Sequence, residues 1–153
     1  MNGPTAADRF MRECLREAVA AERAGEVPVG AVVVRDGAII GRGRNASIGT
    51  HDPSAHAEIV ALRAAGAEAA NYRLVGADLF VTVEPCLMCV GAIVQARLRR
   101  VVFGCADPKA GALGGAFDLT SQPGLNHRFA VQGGVCEAEA RELLQRFFRA
   151  RRA

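Results

Sequence analysis

The sequence predicts an α/β fold in the order α-β-β-α-β-α-β, followed by a short fifth strand and a final helix. Three observations carry this order. Two β-prone runs, 29–34 and 38–44, flank Arg35-Asp36-Gly37, the composition of a tight hairpin. Apolar residues at helical spacing alternate with further β-prone runs up to residue 104. A chain of 153 residues that is 50% hydrophobic can also bury a sizeable core, so one domain over 1–153 is expected.

Taken in order, Thr5-Ala6-Ala7-Asp8 has the pattern of a capping box. Phe10, Met11, Cys14, Leu15, Ala18 and Val19 then recur with helical period, so a first helix runs to Gly25. After the hairpin, Asp52-Pro53-Ser54 is a run of helix-start residues, with Asp52 or Ser54 as the cap and Pro53 in the first turn. The helix that follows carries His56 near its start and runs towards Gly66, with Ile59 and Leu62 suited to the core. A third strand at 79–83 leads directly into a helix opened by Glu84-Pro85 and continued by Leu87, Val90, Ile93 and Val94. A fourth strand is expected at 100–104. Residues 105–128, rich in Gly and Pro, read as an ordered surface loop with a helical turn at 116–119; loops of that length are often functional. Residues 129–133 read as the short fifth strand. Residues 136–149 read as the last helix, with Leu143, Leu144, Phe147 and Phe148 as its apolar stripe.

A net charge of +3 and a pI of about 8.8 permit an anionic partner without demonstrating one. There is no apolar run of about 20 residues, and the N-terminus reads as a polar helix start instead of a signal peptide, so a cytoplasmic protein with no membrane partner is expected. Five cysteines form an odd set, which favours reduced thiols and a metal site over a disulfide framework.

Two stretches carry the chemistry: His56-Ala57-Glu58 and Pro85-Cys86-Leu87-Met88-Cys89. A lone Cys-x-x-Cys is ambiguous between a redox pair, half of a structural zinc site and coincidence. The earlier His-x-Glu and the Pro before Cys86 shift the balance, because His56, Cys86 and Cys89 as Zn²⁺ ligands leave one tetrahedral position open for water. Cys86 and Cys89 share a helix face, and the partial positive charge at a helix start favours thiolates. Glu58 lies two positions from His56 and suits a proton carrier better than a fourth ligand.

His-x-Glu with Pro-Cys-x-x-Cys is the pattern of zinc nucleobase deaminases. The chain resembles, over almost its whole length, the bacterial tRNA-specific adenosine deaminases of the zinc-dependent cytidine/deoxycytidylate deaminase superfamily. The resemblance also rests on Val27-Pro28-Val29-Gly30-Ala31-Val32, Gly43-Arg44-Asn45, His51-Asp52-Pro53-Ser54-Ala55, Asn71-Tyr72-Arg73-Leu74, Val101-Val102-Phe103-Gly104, Asp107-Pro108-Lys109-Ala110-Gly111, Leu125-Asn126-His127-Arg128 and Phe147-Phe148-Arg149. The departures are local: Cys105, and Gly115-Ala116 after Gly114. The resemblance implies a three-layer cytidine-deaminase-like fold, a mixed five-stranded sheet between helices. It implies one zinc per subunit, a homodimer whose RNA groove draws on both subunits, and a tRNA anticodon stem-loop as partner. The implied reaction is hydrolytic deamination of adenosine to inosine at the wobble position, chiefly of the arginine tRNA with anticodon ACG. Glu58 is then the catalytic proton carrier. The backbone amides of Ala57 and Cys86 stabilise the site, the Pro85 carbonyl receives the leaving amine, Asn45 reads the flipped nucleotide, and Val29 walls the base.

For RNA contact, Arg146, Arg149, Arg151 and Arg152 concentrate positive charge near the C-terminus, and Lys109 and Arg128 add to it. Asp107, Asn126 and His127 are candidate loop contacts, and Phe148 a candidate stacking residue, although by periodicity alone a residue so placed is more often core. A solvated helix face is the competing reading of the arginines. The Gly41-Arg42-Gly43-Arg44-Asn45-Ala46 stretch superficially fits a dinucleotide fingerprint, but it ends a hairpin and no long helix follows. The competing functions are a small-molecule cytosine, cytidine or guanine deaminase and a non-catalytic zinc-stabilised RNA-binding protein.

Overall fold

In the computed structural model, which describes residues 3–152, helix α1 (Ala6–Arg23) begins at the expected capping box. Thr5 Oγ1 accepts from Asp8 N at 3.1 Å, and Asp8 Oδ2 accepts from Thr5 N at 2.9 Å. At its other end Gly25 adopts φ +82°, and Glu26 N returns to Ala21 O while Gly25 N returns to Glu22 O, a Schellman close. Strands β1 (Gly30–Arg35) and β2 (Ala38–Arg44) pair antiparallel around Asp36 and Gly37, whose φ of 53° and 77° are those of a type I′ turn.

β3 (Asp78–Val83) runs antiparallel to β1, while β4 (Arg100–Cys105) is parallel to β3 and β5 (Ala130–Gln132) parallel to β4. The result is a mixed five-stranded sheet in the order β2-β1-β3-β4-β5. One face, through Val32, Val34, Phe80 and Val102, packs on Met11 and Cys14 of α1, with Val135 at the approach to α5 (Glu137–Arg152). The other face, through Ala31, Val33, Leu79, Val81 and Val101, packs on α3 (Ala57–Ala69) and α4 (Leu87–Ala96). The expected helix-sheet-helix layering is present. Among the described residues, no helix is long and apolar enough to cross a membrane.

The approach of α3 to β2 positions the site. A Cβ at Gly43 would lie 2.3 Å from Ala57 O, and one at Gly41 would lie 2.4 Å from Ala61 O. The glycines of the apparent dinucleotide fingerprint are therefore close-packing positions. The same closeness shifts the buried face of α3 to Ala57, Glu58, Ala61 and Ala65; Leu62 is half-buried and packs against the core as expected, while Ile59 is half-buried at its margin. Only small side chains fit against the glycines.

Other expectations shift for local reasons. A four-residue helix α2 (Ser47–Thr50), too short to show a period, follows β2. Asp52 does not cap α3; its Oδ1 accepts from Ser54 N and Oγ, closing a turn, and α3 starts only after His56. The helical turn in the long loop is a 3-10 turn at Leu119–Ser121, because Asp118 Oδ1 accepts from Thr120 N at 3.0 Å. The last helix starts after Cys136, which has φ +53° and lies outside it. Its buried residues are Ala140, Leu143 and Phe147; Phe148 is exposed.

Candidate active site

The three expected ligands converge where two helices start. His56 is the N-cap of α3 and Cys86 the N-cap of α4, and neither side chain caps its own helix, so both are free to point elsewhere. His56 Nδ1 lies 3.6 Å from Cys86 Sγ and 3.5 Å from Cys89 Sγ, and all three ligand atoms lie within 4.8 Å of one another. Legs of about 2.3 Å for Zn–S and about 2.0–2.1 Å for Zn–N at a tetrahedral angle place N and S roughly 3.6 Å apart. The trio fits one zinc ion, with Nδ1 as the histidine's ligand atom and the fourth position open.

The proton balance of the trio points the same way. A hydrogen bond from Cys89 pulls the Cys86 thiol down to about 3, with His56 assisting against burial. Donating that bond, together with burial, pushes the Cys89 thiol up. The Cys86 thiolate in turn raises His56. The three groups share protons that a dication displaces, leaving two thiolates and a neutral imidazole. Glu58, only 4% exposed, lies beside them; burial above all raises its carboxyl to about 7, against a smaller opposing pull from His56.

A cleft of about 960 Å³ opens above this centre. It lies beyond the C-terminal ends of β3 and β4, where Val83 and Cys105 reach its wall, the usual place for ligands in α/β sheets. Val29, Asn45, His56, Glu58 and Cys86 line its inner part. Asn45 N is tied to Val29 O, and Asn45 Oδ1 accepts from Ala57 N at 2.8 Å. The Ala57 amide, expected to stabilise the site, is engaged here by the Asn45 side chain. Asn45 lines the cleft, and with Oδ1 taken by Ala57 the hydrogen-bonding capacity its amide has left is that of a donor. Pro85 O accepts from Ala112 N at 2.8 Å, which leaves it one lone pair.

The outer part is formed by 105–110 on one side and α5 on the other. Asp107 and Lys109 line it, Asp107 Oδ1 accepting from Lys109 N at 3.0 Å. Cys105 is a buried neutral thiol in the same wall, its pKa raised by burial. On α5 the basic residues divide. Arg149, Arg152 and Phe148 line the cleft. Arg146 pairs with Glu22 at 2.6 Å, and Arg151 donates to Gly25 O at 2.6 Å with its guanidinium 4.5 Å over the Phe147 ring. Those two fasten α5 to the end of α1.

The loop candidates 126–128 are not brought to the cleft. His127 Nε2 is 2.6 Å from Leu98 O, and Arg128 donates to Thr120 O and Gln122 O, holding the loop to itself; Asn126 is exposed. Sequence reasoning missed Arg141 and Gln145, which line the cleft with Phe148, Arg149 and Arg152. Their spacing of 4, 3, 1 and 3 residues marks one face of a helix, a signal that was present. It also missed two buried glutamates. Glu26 accepts from Ile48 N and Gly49 N, and Glu84 from three amides of the long loop. Isolated acidic residues carry no sequence pattern that announces this.

The cytidine and deoxycytidylate deaminase zinc-binding region matches residues 4–105. The tRNA-specific adenosine deaminase of Haemophilus influenzae is 47% identical over 146 residues, covering 95% of this chain and 84% of that protein. That of Agrobacterium fabrum is 46% identical, covering 94% of each. A solved structure from work on A-to-I editing by tRNA:A34 deaminases superposes with a TM-score of 0.87 at 45% identity, covering 89% of this chain and 99% of that one. The guanine deaminase of Bacillus subtilis gives 0.65 at 33% identity, covering 85% and 83%. With the ligand geometry, these matches place the chain in the tRNA-specific adenosine deaminase family of the zinc-dependent cytidine and deoxycytidylate deaminases.

Proposed function

We propose that this chain, acting over 1–153 as one deaminase domain, hydrolyses adenosine to inosine at the wobble position of a tRNA anticodon, chiefly ACG. The observation that carries the chemistry is the buried Glu58 beside the His56, Cys86 and Cys89 trio at the floor of the cleft. Zinc, when bound there, supplies a Lewis acid that lowers the pKa of water towards roughly 7.

Glu58 takes a proton from the attacking water and delivers it to ring nitrogen N1 as the new C–O bond forms at C6. It then carries the second proton to the amine, and the C–N bond breaks to release ammonia. Water plus adenosine thus gives inosine plus ammonia. Asn45 donates to a ring nitrogen acceptor of the purine, since its oxygen is already taken by Ala57. The free lone pair of the Pro85 carbonyl accepts from the leaving amine, and Val29 walls the base. Lys109, Arg149 and Arg152 face the RNA backbone across the cleft.

A homodimer belongs to the same proposal, as does a cytoplasmic setting with tRNA. Between α3 and α4 lies a groove of about 830 Å³ lined by Ile59, Leu62, Tyr72, Leu74, Ala92 and Ala96. Tyr72, Leu87 and Met88 are exposed, and apolar surface of this kind favours a partner. Leu87 and Met88 lie between Cys86 and Cys89, so a second copy there reaches the margin of the site.

The test is incubation with an anticodon stem-loop bearing A or C at the wobble position, alongside free guanine, cytosine and cytidine. Inosine from the first alone supports the proposal. Ammonia from the free compounds without inosine assigns a small-molecule deaminase instead.

A further inference from the structure

Glu84 occupies the turn between β3 and Cys86, and its side chain is 4% exposed. Its carboxylate is the meeting point of the loop that forms one cleft wall. Oε1 accepts from Asp107 N at 3.0 Å, and Oε2 accepts from Leu113 N and Gly115 N, both at 2.8 Å. Glu84 N donates to Cys105 O at 2.9 Å, and the neighbouring Pro85 O takes Ala112 N at 2.8 Å. Five hydrogen bonds therefore join the two residues before Cys86 to the segment 105–115.

The loop is wrapped around the carboxylate itself. A Cβ at Gly111 would lie 2.3 Å from Glu84 Cδ and 2.5 Å from each oxygen. At Gly115, a position where the sequence departs from the family pattern, a Cβ would lie 2.7 Å from Oε1. A buried carboxylate is tolerated when every oxygen is hydrogen-bonded, and bonds to an ionised acceptor are the strong ones. Three converging N–H groups need two acceptor oxygens. A glutamine offers one, and its amide hydrogens would oppose a donor.

We propose that Glu84 is a positioning residue for the nucleotide. It sets the 107–110 wall of the cleft at a fixed distance from Cys86, and thereby the width of the pocket into which the reacting base is placed. Its effect falls on substrate binding, because the 107–110 wall lines the cleft while His56 and Glu58 are carried by α3 and Cys89 by α4. The inference rests on adenosine in an anticodon stem-loop being the substrate.

The experiment uses the zinc-loaded full chain and measures zinc content, kcat per bound zinc and KM on the wobble-A stem-loop, for wild type, Glu84→Gln, Glu84→Asp and Gly111→Ala. In Glu84→Gln, zinc stays near one equivalent, KM rises by about tenfold or more, and kcat per zinc stays within about threefold. Glu84→Asp, which keeps both oxygens and the charge, recovers part of the KM. Gly111→Ala raises KM with the carboxylate chemically intact, and carries the test if Glu84→Gln is not recovered folded. A role confined to folding lowers the active fraction and so lowers kcat per chain at unchanged KM; inosine from wild type with that pattern in the variants overturns the proposal. No inosine from wild type overturns the substrate reading beneath it, and the positioning role falls with that reading.

Discussion

The Asn45 side-chain oxygen accepts the backbone N–H of Ala57 at 2.8 Å, so the residue ending the hairpin also satisfies the first turn of the helix that presents His56 and Glu58. One amide thereby combines an observed and a proposed role: the oxygen satisfies the start of α3, and the N–H group is the proposed donor to substrate. Asn45→Asp keeps the acceptor and loses the donors, so melting temperature stays near wild type while kcat/KM falls by about 10–100-fold, the cost of one hydrogen bond to substrate. Asn45→Ala loses both, adding about 1 kcal/mol of destabilisation for the lost cap. Equal activity losses with equal melting temperatures in the two variants would separate Asn45 from α3.

The proposed zinc centre draws its three ligands, His56, Cys86 and Cys89, from two helix starts, and the proposal requires each of them. Cys86→Ala and Cys89→Ala bind no stoichiometric zinc after purification, as measured by metal analysis. A full complement in either variant would refute its assignment.

Glu58 gives the metal-free protein a pH dependence. Its carboxyl ionises near 4.5 in an ordinary setting and at about 7 when buried here. Between those values the folded chain holds a proton that the unfolded chain has released. The stability contributed by neutral Glu58 is therefore complete below about 4.5 and is lost as pH rises to about 7. After zinc removal, wild type loses on the order of 3 kcal/mol relative to Glu58→Gln between about pH 4.5 and pH 8, read by chemical denaturation. Parallel curves for the two proteins would contradict this.

The arginines of α5 separate by the surface they reach. Arg149→Ala combined with Arg152→Ala weakens stem-loop binding and flattens the slope of log affinity against log salt by about 1.5, the loss of two phosphate contacts. Arg151→Ala, whose guanidinium is on Gly25 O, leaves the slope unchanged and lowers the melting temperature. The reverse pattern would place Arg151, and not Arg149 and Arg152, on the RNA.

The features readable from sequence are those that repeat or that obey local chemistry. The capping box at Thr5, the Asp36-Gly37 turn and the five strands each follow from a few adjacent residues. The trio of His56, Cys86 and Cys89 was legible because ligand type and spacing constrain one another. Glu26 and Glu84 were not, because their partners are backbone amides of distant segments, which have no residue identity to read. The division of α5 was half legible: its period shows two faces, but Arg151 turns to Gly25 and Arg149 to the cleft only once α1 and the 105–110 segment are in place.

In the proposed reaction Glu58 moves the protons at a zinc centre held by His56, Cys86 and Cys89. Glu58→Gln removes the carboxylate at nearly constant volume, and the decisive measurement is inosine formed per bound zinc from a wobble-A stem-loop. The expected result is about one zinc per chain, stem-loop binding close to wild type, and turnover lower by about a thousandfold or more. Turnover per zinc equal to wild type would contradict it.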